Sequence, residues 1–455
     1  MEEIKQNELG TKSIGKLLFD MAVPAIIAQI VNVLYNLVDR MYIGHLPEIG
    51  RDALTGVGVT LPLIMLITAF SSLVSMGGAS RASIAMGKKD NESAEKILGS
   101  CTTALIGLSV IITALVLAFG EEILMAIGGS ENTIGYALEY MNIYAIGTIF
   151  VQLTLGLNAF ITAQGFAKTS MATVTIGAIT NIVLDPILMF GFDMGVAGAA
   201  WATIISQAVS TIWVVRFLLS KKSFLKIRKK YLKIDLKIFI PCVALGLSPF
   251  IMQATESILT ITFNTSLRKY GGDLAVGVMT ILSSVMQFSL LPLTGLTQGA
   301  QPITSYNYGA RNSDRVKKSF QLLLRSSIIY STILWLAAMM IPQVFAAIFT
   351  SDAELIQSTI PAMRTYMAAS LLLGVQISCQ QTFIALGNAK ASIFLALLRK
   401  VILLIPLIYI LPIFLENKVF AVYLAEPVAD VIAVTVTAIM FFTQFKKILI
   451  ELKNN

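Results

Sequence analysis

Apolar residues fill this chain in long blocks, and the short stretches between them hold most of the charged residues. Many blocks reach about 20 residues, the length that crosses a bilayer as a helix, whereas a membrane barrel would show ~10-residue alternating segments. The pattern therefore predicts an all-α polytopic membrane protein with twelve transmembrane helices. Their expected spans are 17–43, 54–79, 96–119, 134–159, 170–192, 196–219, 238–266, 275–300, 320–347, 357–384, 393–415 and 419–444.

The composition favours a membrane protein over a soluble one. The chain is 56% hydrophobic and 13% charged, whereas soluble domains are roughly 45–50% apolar and about 25% charged. The net charge of +8 does not indicate nucleic-acid binding, because the positive residues cluster in short loops between the predicted spans, as the positive-inside rule describes. We expect those loops and both termini to be cytoplasmic, and the polar N-terminal segment 1–16 shows no signal-peptide core.

Few residues of this chain could form an enzyme site or a transition-metal site. The three cysteines, Cys101, Cys242 and Cys379, fall in or beside apolar blocks and have neither metal-ligand spacing nor a disulfide pattern. His45 is the only histidine. We therefore expect no catalytic constellation and no cofactor.

Identical residues recur in the two halves at a constant offset of 222 positions. The pairs are Gly77 and Gly299, Ser83 and Ser305, Gly87 and Gly309, Ala163 and Ala385, Gly165 and Gly387, and Lys168 and Lys390. An offset of six helices gives both halves the same orientation, so we expect two six-helix lobes related by a parallel pseudo-two-fold repeat. The expected division is an N-terminal lobe at 1–219, a cytoplasmic linker at 220–237 and a C-terminal lobe at 238–455.

Two aspartates lie inside predicted spans of the first lobe. An ionisable group there costs at least ~2.5–3.5 kcal/mol, so it persists only if it is paired, hydrated or used. Asp185 is 17 residues beyond Lys168, about 26 Å along its helix, and Asp39 lies in the same outer half of the membrane. Asn181 shares a helix face with Asp185, and Thr203 falls at a similar depth. These oxygen-bearing side chains predict a site for Na⁺ or for a shared proton, although Asn181 and Thr203 also suit polar contacts between helices.

The second lobe offers a different set of polar residues inside predicted spans. Glu256 and Gln253 lie one turn apart in the seventh helix and are candidates for a cavity that contacts cationic substrate. Met286 is a candidate for the same cavity, since flexible methionine suits surfaces that bind many shapes. Glu426 and Asp430 share a face of the twelfth helix, either as a second proton site or, as we prefer, as a structural pair.

Several segments together resemble the multidrug and toxic compound extrusion (MATE) family. The segments are DMAVPAIIAQIVNVLYNLVDRMYIG, GGASRASIAMGKKDNESA, NAFITAQGFAK and TNIVLDPILMFGFDMGVAGAAWATIISQ. The resemblance covers essentially the whole chain and points to the bacterial branch of MepA-type exporters. It implies twelve helices in two lobes and the export of organic cations and other drugs, driven by inward Na⁺ or H⁺.

The resemblance also implies roles for individual residues. It carries over Asp39 and Asp185 as coupling residues, with Asn181, Thr203 and Asn158 beside them, and these acids and Asn181 would hold Na⁺ in a sodium-coupled protein. We further expect a monomer in the bacterial cytoplasmic membrane, in contact with lipid. A helix 10 aspartate found in some branches has no counterpart here, which argues against a second Na⁺ site.

Two other functions are compatible with a polytopic fold. A flippase for lipid-linked precursors would need cationic residues in its cavity to meet a diphosphate, whereas the ionisable residues inside the predicted spans are mostly acidic. A membrane enzyme would need a nucleophile–base or metal constellation, which His45 and the scattered cysteines do not supply. A receptor would leave the repeat and the buried acids unexplained. We therefore expect a secondary active exporter that works by alternating access.

Overall fold

The structure is a computed structural model that describes residues 8–454. Its regular elements are helices with short 3-10 and π-helical turns. Residues 1–7 of the polar N-terminal segment lie outside the described residues, as does Asn455. The expectation that both termini are cytoplasmic therefore concerns residues beyond those described here.

The first half of the chain forms eight α-helices. Proline lacks a backbone N–H donor, and Pro186 at the end of α7 is followed by a π-helical turn at Ile187–Gly191. The helices are α1 (Glu8–Thr11), α2 (Ile14–Gly44), α3 (Gly50–Gly87), α4 (Asn91–Ile127), α5 (Ile134–Ile146), α6 (Thr148–Ala163), α7 (Ala167–Pro186) and α8 (Gly195–Leu219).

The second half also forms eight α-helices. The first of them is a single long element that covers the two predicted spans 238–266 and 275–300. The π-helical turn of this half spans Leu398–Leu404 and a 3-10 turn spans Ser370–Leu372. The helices are α9 (Leu236–Gly309), α10 (Ser313–Met340), α11 (Pro342–Phe349), α12 (Ala353–Tyr366), α13 (Leu373–Ala385), α14 (Ala389–Leu397), α15 (Ile405–Phe414) and α16 (Lys418–Asn454).

The described helices account for twelve membrane crossings. Nine are long and apolar enough to span a bilayer, and the pairs α5–α6 and α12–α13 are spans bent by 57° and 47°. Helix α9 counts twice, because its backbone leaves helical geometry at Gly272, with φ of +66°. Its two arms, 236–271 and 273–309, are the predicted seventh and eighth helices. The prediction of twelve helices is confirmed.

The same interactions recur in both lobes at equivalent positions. The Ser83 hydroxyl donates to the carbonyl of Ala163 at 2.7 Å, and its repeat partner Ser305 donates to Ala385 at 2.8 Å. Gly165 and Gly387 both have positive φ and follow the ends of α6 and α13, where a side chain would be strained. The constant offset seen in the sequence therefore reflects two copies of one packing arrangement.

The lobes meet along α3 and α9. A methyl group on Gly77 would overlap the carbonyl oxygen of Cys242, and one on Gly246 would overlap that of Leu73. Glycine thus lets the two backbones approach closely. The helices cross again at Gly87, close to the end of the bundle that carries α1, the segment 220–235 and the last turns of α16. We call this the terminal end and the opposite one the distal end.

Candidate functional site

Two buried carboxylates lie in the first lobe, where α2 packs against α7. Asp39 is 8% exposed near the distal end of α2, and Asp185 is fully buried in the last turn of α7. The two carboxylates are close enough to interact electrostatically. The structure therefore brings together the two acids that the sequence singled out, although they are far apart along the chain.

Asn181 contacts one of the two acids. It lies one turn before Asp185 on α7, and its amide nitrogen Nδ2 donates to Asp185 Oδ1 at 3.2 Å. Among the described residues, no donor pairs with Asp39 Oδ1, Asn181 Oδ1 or Asp185 Oδ2, and all three atoms are buried. Buried oxygens are normally satisfied by a donor or an ion, so this cluster has room for an additional donor, a proton or a cation.

Two tyrosines that the sequence analysis did not single out border the cluster. Tyr35 lies one turn before Asp39 and interacts electrostatically with both acids. Tyr140 of α5 interacts with Asp39 and with the side chain of Thr203, so Thr203 reaches the cluster through Tyr140. The four-residue spacing to Asp39 could have identified Tyr35. No local signal could have identified Tyr140, because its position depends on helix packing.

Asn158 does not join the cluster. Its amide Nδ2 donates to the carbonyl of Ser170 at 3.3 Å near the start of α7. Ser170 is 15 residues before Asp185 on the same helix, a separation of about 22 Å. Asn158 instead lines the cavity between the lobes.

The donor chemistry of the cluster fits a proton or a small hard cation. Its free groups are carboxylate and amide oxygens, the type of ligand that hard cations take. Within residues 8–454, no group of three or more His, Cys, Asp or Glu side chains is placed to hold a metal ion. A Na⁺ ion would therefore need amide and hydroxyl oxygens in addition to the two carboxylates.

A cavity of about 450 Å³ separates the lobes. It is lined mainly by small polar side chains of α2, α3 and α6 on one side and of α9 on the other. Hydrogen bonds cross its edges, from Gln29 Nε2 to Gln298 Oε1 at 3.1 Å and from Gln253 Nε2 to Ser72 Oγ at 2.9 Å. Gln253 thus lines the cavity, as its predicted role requires, and also bridges the lobes.

Glu256 and Met286 lie elsewhere, at a smaller pocket of about 80 Å³ inside the second lobe. The three residues predicted for one substrate cavity are therefore divided between two. Glu256 contacts the ammonium group of Lys400. Arg399 donates to both Glu426, at 3.0 Å, and Asp430, at 2.6 Å.

Arg399 and Lys400 are two bases inside the predicted span 393–415, and neither was among the predicted site residues. The expectation that the ionisable residues inside the spans are mostly acidic left these two bases out. The structure shows that both bases are paired with carboxylates. The contact of Arg399 with Glu426 and Asp430 agrees with a structural role for that acidic pair.

Two repeated lobes with a polar cavity between them, and the buried carboxylates of Asp39 and Asp185 in the first lobe, are typical of a membrane transporter. Comparisons with known proteins give the family. The MatE family model matches residues 24–187 and 249–410, once in each half of the chain. The chain belongs to the MatE family.

The chain is similar to curated members of this family over most of its length. It is 25% identical over 423 residues to "Multidrug export protein MepA" of Staphylococcus haemolyticus (strain JCSC1435), covering 92% of each chain. It is 24% identical over 396 residues to the protein of that name from Staphylococcus aureus (strain N315), covering 87% of each chain.

Solved structures of MATE transporters are also similar to this chain. The "MATE multidrug transporter DinF-BH" is 32% identical, with a TM-score of 0.88, and the match covers 95% of this chain and 96% of that one. The "outward-facing conformation of a multidrug resistance MATE family transporter" has a TM-score of 0.90 at 22% identity, over 98% of both chains. The second similarity concerns the fold alone.

Proposed function

We propose that this protein is a secondary active multidrug exporter that antiports organic, mostly cationic, drugs against H⁺ or Na⁺. The observation that carries the proposal is the buried cluster of Asp39, Asp185 and Asn181, with three oxygens that lack donors, in a protein of the MatE family. The cavity of about 450 Å³ between the lobes is large enough for a small drug. Membership of a transporter family also argues against an enzymatic function.

The coupling mechanism follows from the charge of the cluster. Protonation of the acids, or Na⁺ bound between them, neutralises charge that is otherwise buried between α2 and α7. Repacking of α2 then releases the drug outward. A ligand shifts such an equilibrium only through its different affinities for the two states, and the coupling between drug and ion is reciprocal.

The proposed orientation places the terminal end in the cytoplasm. That end carries the basic loops and the basic segment 220–235, and the positive-inside rule assigns such loops to the cytoplasmic side. The protein would then lie in the bacterial cytoplasmic membrane with its termini inside. The close crossing at Gly87 and Gly309 supports an outward-facing state.

We also propose the division into lobes at 1–219 and 238–455, joined by a linker at 220–237. Helix α8 ends at Leu219 and α9 begins at Leu236, and the MatE model matches once on each side. A monomer contains both lobes and so the whole proposed pathway. Lipid surrounds the bundle, consistent with its many exposed apolar residues.

A flippase for lipid-linked precursors is less favoured. Such a protein needs exposed cationic side chains to meet a diphosphate, whereas Lys400 and Arg399 are buried and paired with carboxylates. The curated relatives described above are named as drug exporters.

The experiment that tests the proposal is drug efflux from proteoliposomes, with a Na⁺ gradient and a pH gradient imposed separately. Ethidium is a suitable probe because its fluorescence reports its location. We expect efflux under one gradient and none without a gradient. Absence of ethidium movement under both gradients, in vesicles that contain folded protein, would overturn the proposed function.

A further inference from the structure

The second lobe contains a network of five charged side chains that the proposed coupling cluster does not use. Arg399 pairs with Glu426 and Asp430, and Lys400 pairs with Glu256. Four of the five side chains are at most 15% exposed, whereas Glu256 is 53% exposed. Glu256 is therefore the member of the network that a solute can reach.

The charges in this network do not balance. Three carboxylates face two cationic groups, which leaves one negative charge when all five are ionised. Buried charge without compensation is costly, and more so within a membrane. One additional monovalent cation would neutralise the network, whereas a neutral compound would leave the imbalance and a dication would reverse it.

The ammonium group of Lys400 pairs with the Glu256 carboxylate as a bound cation would. The same group donates to the carbonyl oxygen of Met252 at 3.3 Å, so a tethered cation is held by oxygens of α9. Lys400 belongs to the π-helical turn at Leu398–Leu404, a type of irregularity that is frequent at functional sites. A drug cation that approaches Glu256 must compete with this ammonium group.

The structure also offers Lys400 a second partner. The pocket of about 80 Å³ is lined by both Glu256 and Glu426, and Lys400 interacts electrostatically with Glu426. A lysine side chain has several rotatable bonds and can redirect its ammonium group without movement of the helix. Glu256 lies one turn beyond Gln253, which lines the cavity between the lobes, so this pocket and that cavity are neighbours along α9.

We propose that Lys400 is a specificity-determining residue that competes with monovalent drug cations for Glu256. A bound monocation pairs with Glu256, and the Lys400 ammonium turns towards Glu426, which leaves the network neutral. The inference rests on the proposed function for the nature of the substrate. The inference adds that Glu256 is the site that recognises the charge of the drug. It also adds that the Lys400 ammonium group limits the affinity for the drug.

The test measures binding of tetraphenylphosphonium, a monocation, to purified full-length protein by calorimetry. Lys400→Gln frees Glu256, so we expect affinity to rise by roughly tenfold, equivalent to about 1.4 kcal/mol. Lys400→Arg keeps the charge and should bind no more tightly than the wild type. Glu256→Gln should weaken binding, and Lys400→Gln combined with Glu256→Gln should abolish the gain. Triphenylphosphine oxide, a neutral probe, should bind all variants equally.

Several results would overturn the inference. They are unchanged or weaker binding in folded Lys400→Gln, a gain that survives Glu256→Gln, an equal gain for the neutral probe, or tighter binding in Lys400→Arg. If Lys400→Gln fails to fold, the comparison of Lys400→Arg with the wild type still tests the inference. Arginine preserves the ion pair with Glu256, so tighter binding in that variant would contradict competition by the positive charge. Failure of the proposed function is distinguishable, since wild-type vesicles would then move no ethidium under either gradient.

Discussion

Gly87 and Gly309 lie 222 positions apart, and each packs against the helix of the other at the terminal end. A methyl group on Gly87 would overlap the carbonyl oxygen of Tyr306, and one on Gly309 would overlap that of Ile84. Ile84 and Tyr306 are also 222 positions apart. The contact is therefore reciprocal and lies on the pseudo-two-fold axis, where closure of the terminal end requires two positions without side chains.

We predict that Gly309→Ala opens the terminal end. The added methyl group cannot be placed without separating α3 from α9, and overpacking of this kind costs about 1–3 kcal/mol. The conformation closed at this end should lose population. Spin labels at Lys88 and Lys317, both exposed, should report a longer distance in the variant than in the wild type.

Gly107→Ala is the matched control for this experiment. Gly107 also lies in a helix, but no neighbouring atom lies within 4 Å of the position that its methyl group would take. The distance between the labels should not change in this variant. A distance distribution in Gly309→Ala that matches the control would contradict the role of the crossing in closure.

We predict that Asp39→Asn and Asp185→Asn each abolish ion-driven efflux while leaving the protein as stable as the wild type, or more stable. Each substitution preserves the shape of the side chain and removes a buried carboxylate, one oxygen of which lacks a donor among the described residues. A gain in stability with a loss of activity is typical of residues kept for function. The measurements are ethidium efflux from proteoliposomes and thermal unfolding of the purified variants.

Asp52→Asn is the control for these two variants, because Asp52 is exposed at the start of α3. It should retain efflux and stability. If both Asp39→Asn and Asp185→Asn retain full efflux, the first-lobe cluster does not couple the ion to the drug.

The sequence was sufficient to predict the helices, the repeat and the meeting of Asp39 with Asp185, because each depends on hydropathy or on depth in the membrane. It could not place Tyr140 at Thr203, since that contact depends on how α5 packs against α8. Arg399 and Lys400 are a different case. The rule that drew attention to the acids applies equally to bases inside an apolar span, so both could have been singled out.

Asn158 shows the limit of transferring a residue by resemblance. The motif NAFITAQGFAK places it in α6, within the predicted fourth span and close to the turn at Gly165. The depth of that turn puts it beside Ser170 rather than Asp185. Asn158 lies seven residues before the turn at Gly165 and Asp185 lies 20 residues after it. The rise per residue of a helix, which gave the depth of Asp185, therefore also shows that the two residues lie at different depths in the membrane.

We predict that Arg399→Met lowers the stability of the protein by about 3–5 kcal/mol, because it leaves Glu426 and Asp430 buried without a partner. Neutralising all three groups, by adding Glu426→Gln and Asp430→Asn, should restore much of the loss. Thermal unfolding monitored by size-exclusion chromatography gives the comparison.

Arg268→Met provides the control for Arg399→Met, since the pair that it breaks, Arg268 with Asp273, is largely exposed. Exposed pairs of this kind contribute about 0–1 kcal/mol. A triple variant no more stable than Arg399→Met alone would show that the network does not act through charge compensation.

Arg315 ties the segment before α2 to the second lobe. Its guanidinium donates to the backbone carbonyls of Leu9 and Lys12, at 3.0 and 2.7 Å, and its Nε donates to Asn307 at 2.8 Å. Because α1 and Lys12 lie at the start of the first lobe and Arg315 belongs to α10 of the second, the bonds to Leu9 and Lys12 cross between lobes at the terminal end. An opening of that end must break them or carry α1 along with the second lobe.

We predict that Arg315→Gln loosens this connection. Hydrogen bonds from a charged donor contribute about 1.5–3 kcal/mol each, so backbone amides in residues 9–13 should exchange their hydrogens at least tenfold faster, and the distance between labels at Lys88 and Lys317 should increase. Lys318→Gln removes an exposed charge from the same helix and should change neither measurement. Faster exchange without a longer distance would mean that α1 detaches while the lobes stay closed, which would assign the closure to the glycine crossing alone.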